Sequence, residues 1–121
     1  MTDRPPTDPD HPYSLVRMAP GGTIYTSGVL PYDEDGSVAT DFPRAATRVL
    51  EVLAARLAAE GVGLADVIKT TVYVTDIALR PAVNHAWSTT FPHPLPVRTL
   101  VEVAALPGGS RIEVEAVAIR A

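Results

Sequence analysis

The sequence predicts an α+β domain of two layers, a mostly antiparallel sheet with two helices on one face. Three observations lead there. The apolar patterns run in the order β-β-(β)-α-β-α-β-β. Two stretches of helical periodicity are separated by a single alternating stretch. The C-terminal third alternates on both sides of Pro107-Gly108-Gly109-Ser110. A length of 121 residues suits one compact domain. With 46% hydrophobic and 20% charged residues, the balance is that of an ordinary globular chain. The chain has no cysteine, which excludes a disulfide scaffold, a thiolate zinc site and a Cys nucleophile. No apolar run reaches the length of a membrane span and the first residues lack a signal core, so a cytoplasmic protein is expected. A net charge of −4 with scattered Arg and Lys argues against nucleic acid as a partner.

Residues 1–11 are polar and Pro-rich and are expected to form a flexible tail, leaving 12–121 as the single domain. Residues 13–19 suit a strand that ends at the Pro20-Gly21-Gly22 turn, and 23–30 pairs back on it. An acidic loop over 31–36 leads to a short candidate strand at 37–40. Asp41 is the expected N-cap of the first helix, with Pro43 in its first turn and Gly61 as its C-cap. Its core stripe is Ala46, Val49, Leu50, Leu53 and Leu57. Residues 66–75 form the next strand, with Ile68, Thr70, Val72 and Val74 on one face. A second helix over 79–90 carries Pro81 in its first turn. The alternate prolines of 91–96 then make a stiff lead into Arg98.

The stretch from Val97 to Ile119 is expected to be a hairpin closed at 107–110. Ile112, Val114, Ala116 and Ala118 make its core face. Arg98, Glu102, Glu113 and Glu115 fall on a mixed second face, suited to an interface or cleft. If Leu106 faces Arg111, then Glu113 sits opposite Ala104, Arg98 opposite Ile119, and Glu102 opposite Glu115. Arg98 and Glu113 are then roughly 20 Å apart along the strands. A site that uses both must draw on two chains.

Arg98 is a candidate carboxylate clamp, because a guanidinium offers two parallel donors to a carboxylate. The bland alternative is a structural Arg paired with a Glu across an interface. Glu113 is a candidate general base, and Glu115 shares its face as a candidate ion-pair residue. Tyr13 offers a hydroxyl at a strand start. Ser27-Gly28 permits close backbone approach to a ligand. Asn84 lies on the second helix, as a ligand contact or a helix-to-loop hydrogen-bonding residue. The three histidines have no metal-site spacing, the 33–35 acidic cluster lacks the calcium-loop pattern, and no phosphate cradle or nucleophile triad is present. No metal and no cofactor are expected.

Several of these segments together resemble the RidA/YjgF family. They are Pro12-Tyr13-Ser14, Tyr25 to Pro31, Val67 to Asp76, Ala82-Val83-Asn84, and the run Pro96-Val97-Arg98-Thr99 through Ile112-Glu113-Val114-Glu115-Ala116. The resemblance implies a chorismate-mutase-like fold and a homotrimer with a cleft at each subunit boundary. It implies hydrolysis of 2-enamino or 2-imino acids, similar to 2-aminoacrylate, to 2-keto acids and ammonia. Arg98 would hold the substrate carboxylate, Glu113 position or activate water, and Tyr13, Ser27, Gly28, Asn84 and Leu100 line the cleft. His11, Val29 and Leu100 depart from the common family residues, which makes a more apolar cleft and opens the substrate question. The alternatives are a pathway-specific enzyme for a larger carboxylated intermediate and a non-catalytic trimer that binds small carboxylates or a protein.

Overall fold

In the computed structural model, which describes residues 12–120, five strands form one sheet with two helices on one face. The strands are β1 (Val16–Met18), β2 (Thr23–Thr26), β3 (Val67–Val74), β4 (Val97–Glu102) and β5 (Ile112–Ile119). The helices are α1 (Arg44–Ala58) and α2 (Arg80–Thr90). The sheet order is β1-β2-β5-β3-β4. Every pairing is antiparallel except β3 with β4. The two-layer α+β expectation therefore holds. The expected tail at 1–11 lies outside the described residues.

The C-terminal hairpin does not form. β3 inserts between β4 and β5, parallel to the first and antiparallel to the second. Parallel strands need a crossover, and α2 supplies it between β3 and β4. The connection after β4 passes over the end of β3. Val103 N–H donates to Val74 O at 2.8 Å, and Thr75 N–H donates to Arg111 O at 3.2 Å. Gly108 and Gly109 take φ of 67° and 70° there, so the Pro-Gly-Gly chemistry serves a wide connection instead of a two-strand turn.

The core lies between the sheet and the helices. The α1 stripe Ala46, Val49, Leu50, Leu53 and Leu57 is fully buried, as its period requires. Ile112, Val114, Ala116 and Ala118 of β5 meet it, together with Val72 and Val74 of β3 and Val83 and Trp87 of α2. Burial of each Leu or Val contributes about 1.5–3 kcal/mol. The buried Trp87 Nε1–H donates to Thr70 Oγ1 at 3.1 Å, which satisfies two polar groups inside this layer.

Local expectations shift where tertiary pairing intervenes. Ile68 is 49% exposed and Val67 takes its place in the core. A bulge between Val67 and Lys69 inserts the extra residue and turns Ile68 out. Asp41 does not cap α1 with its side chain; its carbonyl accepts from Ala45 N, and the helix begins at Arg44 after Pro43. Gly61, at φ 78°, does close the helix end. Its N–H donates to Ala58 O and Val62 N–H donates to Leu57 O. The first strand covers only Val16–Met18, and the candidate strand at 37–40 reduces to one bridge between Tyr32 and Val38.

β2 meets β5 with one residue to spare. Tyr25 faces Val117, yet Val29 faces Val114, so four steps on one strand oppose three on the other. The excess pushes Ser27-Gly28 out of the ladder. Thr26 Oγ1 takes over part of it by accepting from the buried Ala116 N–H at 3.0 Å. Thr26→Val keeps the shape but orphans that amide. It is expected to lower unfolding free energy by about 1–3 kcal/mol, measured by urea denaturation.

Candidate functional site

The predicted site residues sort into two groups on opposite faces of the sheet. Residues side by side on neighbouring strands point the same way. Arg98 is level with Thr70, whose side chain is buried under α2, so Arg98 points to the helix face with Leu100 and Glu102. Glu113 is level with Tyr73 and points to the open face with Glu115. The single mixed face expected for Arg98, Glu102, Glu113 and Glu115 is therefore two faces. Glu102 does not oppose Glu115. It accepts from Ile77 N–H at 2.8 Å, while Glu115 is level with Thr71. Nor does Arg98 oppose Ile119 or Glu113 oppose Ala104, because β3 stands between. Arg98 and Glu113 are two strands and three residues apart, about 14 Å in the plane of the sheet.

The first group is cationic. Arg98 Nη2 donates to Asn84 Oδ1 at 2.6 Å, and its guanidinium lies 5.8 Å from the centre of the Trp87 ring. A ring face and an amide oxygen thus hold the fork without neutralising it. Burial, and then the like charge of Arg80, pull the Arg98 pKa below its ordinary value. A groove of about 260 Å³ opens here, lined by Ile77, Arg80, Arg98 and Leu100. Among the described residues, no carboxylate lies within ion-pair distance of Arg80 or Arg98.

The second group is acidic and close to backbone. The Ser27-Gly28 bulge lies against Glu113. A Cβ on Gly28 would stand 2.3 Å from Glu113 Oε2, so any larger residue there would force the carboxylate to shift. Ser27 Oγ is buried without a hydrogen-bond partner among the described residues. Burial, and then Glu115, push the Glu113 pKa up. Tyr73 donates its hydroxyl proton to Glu115, and that bond with partial burial raises the phenol pKa to about 12. A carboxylate with a raised pKa is a stronger proton acceptor than one left in water.

Other expected lining residues are placed unevenly. Leu100 lines the groove. Val29 does not line a cleft; it is fully buried in the core, because its bridge to Val114 turns its side chain under the sheet. Tyr13 is exposed in the bend before β1, at the same end as Ser27, whose N–H donates to Leu15 O at 2.9 Å. His11 lies outside the described residues. Sequence reasoning passed over Arg80, Trp87 and Tyr73. The spacing of Arg80, Asn84 and Trp87 along α2 was a usable signal, since intervals of four and three put them on one helix face. Tyr73 gave none, because its Glu115 partner is 42 residues away. Among the described residues no cluster of His, Cys, Asp and Glu suits a metal ion, and no helix is long and apolar enough to cross a membrane.

Glu113 titrates against stability. A carboxyl whose folded pKa exceeds its unfolded value binds its proton more tightly when folded, so its ionisation weakens the fold as pH rises. The penalty is absent below the unfolded value of 4.5 and complete above the raised folded value. Glu113→Gln is expected to resist urea better than wild type at pH 7. The advantage should close as pH falls through the raised pKa to below 4.5, followed by urea midpoints across pH.

Known proteins share this arrangement of strands and helices. The chain is 38% identical over 104 residues to a 2-iminobutanoate/2-iminopropanoate deaminase of Salmonella typhimurium, covering 83% of this chain and 81% of that protein. The crystal structure of RidA from an Antarctic Psychrobacter superposes with a TM-score of 0.86 at 34% identity, covering 90% of this chain and 89% of that one. Escherichia coli TdcF with bound serine superposes at 0.81 with 30% identity, covering 91% and 89%. The family model described as Endoribonuclease L-PSP matches residues 1–120. The chain belongs to this family, the RidA/YjgF family.

Proposed function

We propose that the protein hydrolyses reactive 2-imino acids, and the enamines that tautomerise to them, to 2-keto acids and ammonia. The observation that carries this reading is Arg98, a half-buried guanidinium held by Asn84 and Trp87 with no carboxylate against it among the described residues. One N–H goes to Asn84, and the remaining donors suit a substrate carboxylate. Similarity to proteins named imine deaminases supports the same chemistry.

In this reading Arg98 binds the carboxylate and thereby fixes the C=N carbon beside it. Glu113 takes a proton from water, and the water oxygen bonds to the imine carbon as the C=N π pair moves to nitrogen. Glu113 returns that proton to the nitrogen, and as the C–N bond breaks the adduct's hydroxyl proton also passes to nitrogen, so ammonia leaves and a C=O bond remains. Ser27 Oγ and Tyr13 supply hydrogen bonds to water or substrate. Orientation is the main contribution, since a C=N bond is already electrophilic. The chain's own groups cover binding and proton transfer without a cofactor.

The separation of Arg98 from Glu113 requires that each site combine two copies. The open sheet face has the surface for it: Tyr25, Val97, Val101 and Ile119 are exposed there beside Glu113. A homotrimer closes three such faces around an axis and leaves a cleft at each boundary. Leu100 and Ile77 favour a variant of this reading, in which the substrate carries a larger side chain than 2-aminoacrylate.

Ammonia release from freshly generated 2-iminobutanoate is expected to be accelerated by wild type and lost in both Arg98→Ala and Glu113→Gln. The two inactive proteins, unfolded and refolded together, should regain about a quarter of wild-type activity, because half the Arg donors and half the Glu donors in a random mixture are intact. No acceleration by wild type overturns the deaminase reading and favours a trimer that only binds carboxylates. Acceleration without rescue on mixing overturns the shared site. Light scattering that gives a monomer does the same.

A further inference from the structure

We infer that Arg80 is a second anion-recognising residue, which selects 2-imino acids bearing another carboxylate on the side chain, the imino forms of acidic amino acids. The inference rests on the reaction proposed above and narrows its substrate class.

Arg80 opens α2, one turn before Asn84, so both lie on the helix face that meets the groove. Among the described residues, the groove is lined by two guanidiniums and two apolar side chains. Like charges placed together lower each other's charged form. That cost is visible at Arg98, whose pKa falls through burial and then through Arg80. One carboxylate on Arg98 neutralises half of this pair. A dianion spanning both neutralises all of it.

The surrounding carboxylates do not fill that role. Asp76 accepts from Ala78 N–H at 2.9 Å and Glu102 accepts from Ile77 N–H at 2.8 Å. Both acids are committed to backbone amides at the turn before α2. Neither stands within ion-pair distance of Arg80. Ile77 and Leu100 complete the wall, and apolar groups there suit the methylenes between two carboxylates. The volume of about 260 Å³ lies just under the usual range for small-ligand pockets, which fits a short diacid.

The test compares hydrolysis of 2-iminobutanoate with that of 2-iminoglutarate by wild type, Arg80→Met, Arg80→Lys and Arg98→Ala. Wild type is expected to favour the dicarboxylate in kcat/KM. Arg80→Met should lower the ratio of dicarboxylate to monocarboxylate by about tenfold or more, the effect of one charged hydrogen bond, and Arg80→Lys should restore part of it. Arg98→Ala should abolish both reactions. A parallel titration with glutarate and butyrate reads binding without turnover through Trp87, the one tryptophan in the chain. Hydrolysis by wild type with an unchanged ratio in Arg80→Met overturns the role of Arg80 and leaves the deaminase reading intact. Absence of hydrolysis together with Arg80-dependent glutarate binding overturns the deaminase reading and upholds the dianion site. A change in stability or assembly with no change in selectivity or glutarate binding assigns Arg80 to an ion pair between copies and overturns the inference.

Discussion

The position of β3 governs the molecule. By lying between β4 and β5 it ties together segments that are far apart in the chain, and it forces β4 to return through α2. A hairpin of β4 and β5 would have put Arg98 and Glu113 on one ribbon. With β3 inserted they lie on opposite faces of the sheet. Arg98 then rests against α2, while Glu113 and Glu115 lie on the uncovered face beside Tyr73. Single-chain chemistry between them is excluded by geometry. The proposed reaction therefore becomes inseparable from assembly.

Each half of the candidate site is built by a different device. On the helix face, α2 presents Arg80, Asn84 and Trp87 at intervals of four and three, and Arg98 comes to them from an edge strand. Trp87 is itself pinned by its bond to the buried Thr70, so the surface beneath the guanidinium is rigid. On the open face, the mismatch between β2 and β5 expels Ser27-Gly28 and brings backbone to the Glu113 carboxylate. A ladder irregularity, not a catalytic motif, gives that acid its desolvated environment. Both devices hold charged groups away from full compensation. That is costly for stability and useful for binding and proton transfer.

The exposed side of the sheet follows from the same arrangement. Two helices are enough to cover one face of five strands, and among the described residues no element remains for the other. Tyr25, Val97 and Val101 stay in solvent in a single copy, next to Glu113, whose pKa burial pushes up. Covering that face with further copies would remove apolar surface from water and would enclose Glu113 further. Assembly and the chemistry of the acidic group are thus physically coupled in the proposed trimer.

What the sequence alone determined was everything carried by local periodicity. The α1 stripe, the apolar face of β5, the Gly61 helix end and the two-layer class are all consequences of patterns within a few residues, where side-chain direction follows from chain position. Arg98 and Glu113 also stood out as candidates, from charges placed beside strongly apolar strands and from the family resemblance. Tertiary structure decided the rest. Which strand lies beside which depends on contacts between segments that carry no mark of their partners, so Pro107-Gly108-Gly109-Ser110 reads as a hairpin turn whether or not a third strand intervenes. The bulge that turned Ile68 outward, the burial of Val29, the Tyr73–Glu115 pair and the meeting of Arg80 with Arg98 all follow from that choice of neighbours. Local residues set which way a side chain points along a strand; only the completed sheet sets what it points toward.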